Sequence, residues 1–168
     1  MKTKVEKYFP VGIGYLRESL WIVIGFLASV LYSLTFFVKY KTQYDFLFAV
    51  VKGKRLLLPN VSMPDFKTIL GDSLVGFVIL IFCMLVLIYY HYRYHYEGSK
   101  SIYLMKRLPN RYELLRRCVT VPLVVLVVSF LTALLLLWLY FEFYLWTTPA
   151  SCLTPNQWHK LWYAYLGG

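Results

Sequence analysis

Residues 20–38 carry no charged side chain, and two more apolar runs follow, Leu74–Tyr90 without a charge and Val119–Trp146 with Glu142 alone. As a helix rising about 1.5 Å per residue, the 19-residue first run covers roughly 28 Å, close to a hydrocarbon core of about 30 Å. The second run has 17 residues and can continue as a helix into His91-Tyr92-Arg93-Tyr94-His95-Tyr96, with Gly98 as a stop. The 28-residue third run exceeds a straight span, so it tilts or projects into the interface, and Pro122 near its start suggests a kink. Spans are therefore expected at about 20–38, 74–92 and 119–146. An inner loop at 93–118 and an outer tail at 147–168 complete the layout. The first run starts too late and is too long for a signal peptide, and the bulky Phe36-Phe37-Val38 offers no small-residue cleavage site, so cleavage is not expected.

Composition agrees. Hydrophobic residues make up 60% and charged residues 15% of the 168 positions, whereas a soluble domain is roughly one quarter charged. A mean hydropathy of +0.57 and 20% aromatics exclude a disordered chain. The net charge of +10 sits between the apolar runs, where it orients spans and meets anionic headgroups rather than nucleic acid. Before the first span and between the second and third stand 11 Lys and Arg, against 7 on the other side. That bias predicts a multi-pass protein of the cell membrane with its N-terminus in the cytosol and its C-terminus outside.

The flanks have helical patterns of their own. Val5, Phe9, Ile13 and Leu16 form one apolar stripe within residues 1–19, with Lys4, Lys7 and Arg17 off it. That suits an amphipathic entry helix in the inner interface, weakened by Pro10; a loosely attached basic tail is the other reading. Residues 39–73 are too apolar for a plain loop. They suit either a hairpin turning at Lys52-Gly53-Lys54 or a short interfacial helix. Asn60-Val61-Ser62 fits the glycosylation triplet but is a pattern common by chance. In the tail, Thr154 as cap, Pro155 at the first helical position and Gln157 as the closing residue of a capping box predict an interfacial helix. Trp158, Leu161, Trp162 and Tyr165 are its anchors.

Motifs for catalysis or metal binding are missing. The chain has no GxxxxGK[ST] and no Cys-x-x-Cys, and no enzymatic activity is expected. His91 and His95 are spaced for one helical face but lack a nearby third ligand, so they read as part of an interfacial belt. Cys83, Cys118 and Cys152 fall at different depths, and no disulfide is expected. Glu142 lies four residues from the outer end of its run and is expected at headgroup level, although an acid in a span can mark a transport path.

The inner loop is the most distinctive segment. Ile102 and Met105 share a helical face, as do Leu104 and Leu108; Pro109 ends that helix, and Asn110 with Glu113 caps the next. The order of entry helix, span, outer loop, span, short basic helix and span resembles the N-terminal half of ABC-2-type transporter permeases. The string Ser101-Ile102-Tyr103-Leu104-Met105-Lys106-Arg107-Leu108-Pro109-Asn110-Arg111 is similar to their first inner loop, with its Leu-Pro followed by a basic residue. The resemblance covers residues 5–146. It implies an all-α integral membrane fold in which Ile102, Leu104, Met105, Lys106, Arg107 and Leu108 form a coupling-type helix. The partners implied are an ABC ATPase subunit and other permease chains. ATP would be held by the ATPase subunit, and no cofactor by this chain. Two departures stand out: three spans in place of six, and a long outer loop. A non-transporting membrane scaffold or regulatory subunit is the alternative.

Overall fold

Long uncharged runs have nowhere to place their backbone polar groups except in their own helical hydrogen bonds, and all three runs are helical, the first divided by a turn at Leu34. The structure, a computed structural model, describes residues 15–51, 54–58, 61–97 and 112–166. Helix α1 covers Tyr15–Ser33 and α2 Thr35–Asp45, followed by strands β1 at Phe48–Val51 and β2 at Lys54–Leu57. Helix α3 is Phe66–Leu70, α4 Val75–Glu97 and α5 Tyr112–Thr147; a 3₁₀ turn at Ala150–Cys152 then leads to α6, Gln157–Leu166. Three helices, Leu16–Asp45, Val75–Arg93 and Arg116–Thr147, are long and apolar enough to cross a membrane. The fold is mostly helical.

Within residues 39–73 the strand pair of a hairpin forms, and the short helix α3 follows it. The hairpin register pairs Phe48 with Leu57 and Val51 with Lys54. This segment departs from an all-α fold, because Gly53 between two lysines favours a tight turn and the flanking Val and Leu residues suit strands. The residues before 15, and with them the Val5–Ile13 stripe, lie outside the described residues. So does the loop 98–111 that carries Ile102–Leu108. Helix α5 runs through Pro122 as one helix.

The chain divides into two units. The first comprises residues 1–29 and 76–132, the second residues 30–75 and 133–168. In the first unit α1 and α4 approach closely through small residues. A Cβ on Gly76 would stand 3.1 Å from Ser29 Cα, nearer than ordinary contacts allow. Membrane helices associate this way because lipid supplies no hydrophobic drive and van der Waals contact must do so. Phe26 and Phe77 meet edge to face at 6.1 Å beside this crossing.

The second unit is organised by aromatic rings. Phe36, Tyr40, Phe66, Tyr140, Phe141 and Tyr144 form a buried core. Phe36 and Tyr140 stack at 4.5 Å, and Phe66 packs against Phe141 at 5.2 Å. The phenol oxygens find partners. Tyr140 lies 2.9 Å from Ser33 Oγ, Tyr40 lies 3.2 Å from Thr148 Oγ1, and Tyr144 donates to the Pro64 carbonyl at 3.0 Å. Burying a tyrosine without such a partner would leave its hydroxyl desolvated.

Helix α6 is present, but its start differs from the capping box read in the sequence. It begins at Gln157, after Asn156 with a φ of 60°. Asn tolerates that left-handed backbone better than most residues. Thr154 Oγ1 donates to Asp65 Oδ1 at 2.7 Å, and Gln157 Oε1 accepts from the Phe66 N–H at 2.9 Å. Gln157 Nε2 also donates to the Thr154 carbonyl at 3.2 Å, so the two side chains join the start of α6 to that of α3, whose buried Phe66 N–H needs a partner.

Candidate functional site

The strongest polar feature lies within the first unit. Glu18 stands in the first turn of α1, where a negative charge complements the helix dipole. His91 follows directly on the apolar run of α4. The two helices bring His91 Nε2 to 2.7 Å from Glu18 Oε1. The His91 side chain is 2% exposed and that of Glu18 19%. Their second polar atoms, His91 Nδ1 and Glu18 Oε2, are buried without a hydrogen-bond partner among the described residues. A carboxylate against an imidazole ties two spans together and is chemically able to hold a proton.

The interfacial-belt reading of His91 did not foresee this burial: the neighbouring acid gives the covered imidazole a hydrogen bond. Sequence reasoning passed over Glu18. The signal was an acid just before one apolar run and a His just after the next, which antiparallel neighbours place at the same level. The His91–His95 spacing is kept in α4, and no group of three metal-ligating residues occurs among the described residues.

Glu142 is exposed on α5, four positions before Trp146, which is 88% exposed. With its carboxylate at headgroup level, as the sequence reading expects, the substitution Glu142→Gln should leave assembly and stability nearly unchanged. Thermal melting and size-exclusion profiles check this; loss of activity from a normally assembled Glu142→Gln protein would place Glu142 on a transport path. The coupling-type residues Ile102, Leu104, Met105, Lys106, Arg107 and Leu108 all lie outside the described residues. Cys83, Cys118 and Cys152 are free thiols.

Two charge clusters fasten the second unit. Lys160 Nζ donates to Asp65 Oδ1 at 2.9 Å, and Gln157 Nε2 donates to the same oxygen at 3.1 Å. The Lys160 ammonium, aided by Thr154, lowers the Asp65 carboxyl below its ordinary range. Asp72 accepts from Lys39, and Tyr32 donates to its other oxygen at 2.8 Å. Those donors hold Asp72 down at about 2 against an ordinary 3.8. A depressed carboxyl stabilises the fold above its unfolded value and ceases to as pH falls through the folded one. The second unit should therefore lose a modest amount of stability between about pH 4 and pH 2. Near-ultraviolet circular dichroism, which reads its packed rings, should show Asp72→Asn flattening that acid limb. An unchanged limb would contradict the assignment.

An open pocket lies beside the Lys39 cluster, lined by Val38, Thr42, Gln43, Pro64, Thr68 and Ile69, with a volume of about 270 Å³. Its lysine is already engaged by Asp72, so it offers no free charge to a ligand. No protein-family model, curated protein or solved structure matches this chain.

Proposed function

We propose that the chain is a membrane subunit of an ABC-2-like transporter that couples through its inner-loop helix to a separate ATPase subunit. The observation that carries this reading is the string Ser101–Arg111, apolar at helical spacing, basic, and broken by Pro109, in the loop between the second and third membrane-crossing helices. Helix α4 ends at Glu97 and α5 begins at Tyr112, so the loop is short and joins two spans on one side. Leu104 and Leu108 would be the anchors in a groove of the ATPase subunit, as helix-in-groove recognition uses residues three and four apart. Lys106 and Arg107 would meet an acidic rim or anionic headgroups. ATP would belong to the partner.

Broad apolar faces remain uncovered on the spans, including Leu31, Phe82 and Leu131. They suit lipid and further permease chains. The scaffold alternative draws on a different observation. Ser29, Ser33 and Thr132 donate back to carbonyls of their own helices at 2.7 to 2.8 Å, which engages their hydroxyl protons with the backbone. Copurification decides: the transporter reading expects an ATPase subunit with the gently solubilised full chain, and the scaffold reading expects other membrane proteins alone.

The proposed orientation places the N-terminus in the cytosol. With Cys83, Cys118 and Cys152 replaced, a single cysteine at the exposed Ser62 should react with an impermeant maleimide in intact cells, and one at Ser101 should not. The reverse pattern would contradict this orientation.

A further inference from the structure

Helix α1 turns two different faces outward at its start. Glu18 faces α4 and meets His91. Arg17, one residue earlier, lies about 100° round the helix and is exposed. Residues three, four and seven further on share its face. They are Leu20, Trp21 and Ile24, which are 59%, 68% and 51% exposed. That stripe belongs to Leu16–Asp45, a helix long and apolar enough to cross a membrane, where lipid covers it. Arg17 stands at the end of the stripe, and its guanidinium has no hydrogen bond or ion pair among the described residues. The adjacent acid, Glu18, is committed to His91. On α4 the exposed Tyr89 and Arg93 lie beside His91, and Arg93 donates to the Tyr89 hydroxyl at 3.5 Å. Aromatic and basic side chains thus meet at this end of both helices, as they do at a headgroup boundary.

We propose that Arg17 and Trp21 bind one anionic phospholipid, its phosphate on the guanidinium and its glycerol region against the indole. Helix side chains lean toward the N-terminus, so Arg17 reaches from the end of the stripe away from the hydrocarbon. A charge left without a partner at a lipid boundary is costly, and phosphate is the anion that the boundary supplies. The planar guanidinium matches a phosphate with two parallel hydrogen bonds. Phosphatidylcholine carries a cation beside its phosphate, so the attraction favours a lipid of net negative charge. Arg116, at the start of the third span, provides the contrast. It too is exposed and has no side-chain partner among the described residues. Three and four residues on, however, stand Val119 and Thr120, and the Thr120 hydroxyl donates to the Arg116 carbonyl. Arg116 has the charge without the aromatic platform. The site rests on the membrane-crossing reading of Leu16–Asp45 and on no ATPase partner.

The test is native mass spectrometry of the full chain in a mild detergent, titrated with phosphatidylglycerol or phosphatidylcholine. The parent should bind a first phosphatidylglycerol more tightly than phosphatidylcholine. Arg17→Gln should weaken that first phosphatidylglycerol by about tenfold or more, the loss expected for a charge-assisted contact. Trp21→Leu should weaken both lipids, because both share the platform. Arg116→Gln removes the same charge and should leave the first phosphatidylglycerol bound as in the parent. Helical circular dichroism should be the same for all four proteins. Phosphatidylglycerol binding unchanged by Arg17→Gln would overturn the proposal. Equal weakening by Arg17→Gln and Arg116→Gln would make the attraction diffuse, and would overturn it too. Displacement of the lipid by an equal concentration of glycerol 3-phosphate would assign the site to a soluble anion and against a phospholipid. Failure of the parent to enter lipid nanodiscs would strike the membrane-crossing reading itself, and the lipid site with it.

Discussion

Replacing His91 with Leu is expected to lower stability by about 3 kcal/mol, because it leaves the Glu18 carboxylate without its partner in a site where His91 is almost fully covered. For a chain of this size that amounts to a fall of roughly 6–12 °C in Tm. The direction of the asymmetry matters. Glu18→Leu should also destabilise, because it leaves a nitrogen of the covered imidazole without its partner, and His91→Leu should cost more, because it leaves a carboxylate oxygen without one. The double substitution Glu18→Leu, His91→Leu should recover to within about 1 kcal/mol of the parent, since a well-packed apolar pair often equals a buried ion pair. Melting curves of the four proteins in one detergent provide the cycle. If the two single losses simply add in the double variant, the residues do not act as a pair.

The membrane helices were legible because nothing but a helix satisfies a long apolar backbone run in lipid, and each run carries that message locally. The hairpin was legible as one of two choices, since Lys52-Gly53-Lys54 signals a turn without saying whether strands or a helix flank it. The Glu18–His91 contact was not legible. It joins positions 73 apart in sequence, and each residue taken alone reads as an ordinary membrane-edge group. The ring cluster is similar: Phe36 and Tyr140 are unremarkable members of two apolar runs until the fold stacks them. Gln157 shows a local rule overridden by tertiary need. Its spacing from Thr154 fits a capping box, yet the Phe66 N–H at the start of α3 is buried and takes its carbonyl oxygen.

The coupling helix proposed at Ile102–Leu108 bears the central claim, and its apolar positions are the ones to alter. Truncating an anchor that fills a groove typically costs about 1–3 kcal/mol or more, so removing two weakens a complex by roughly a hundredfold or beyond. Replacing Lys100, Lys106 and Arg107 with Gln should instead reduce association mainly at low salt, where exposed charges act furthest. Membrane insertion should survive both sets of changes, because no span is altered. The deciding measurement is recovery of an ATPase subunit with the tagged full chain, wild type against Leu104→Ser, Leu108→Ser, at equal amounts in the membrane. The account predicts recovery with wild type and its loss with the double variant. Equal recovery, or no ATPase with either protein, would contradict the coupling role.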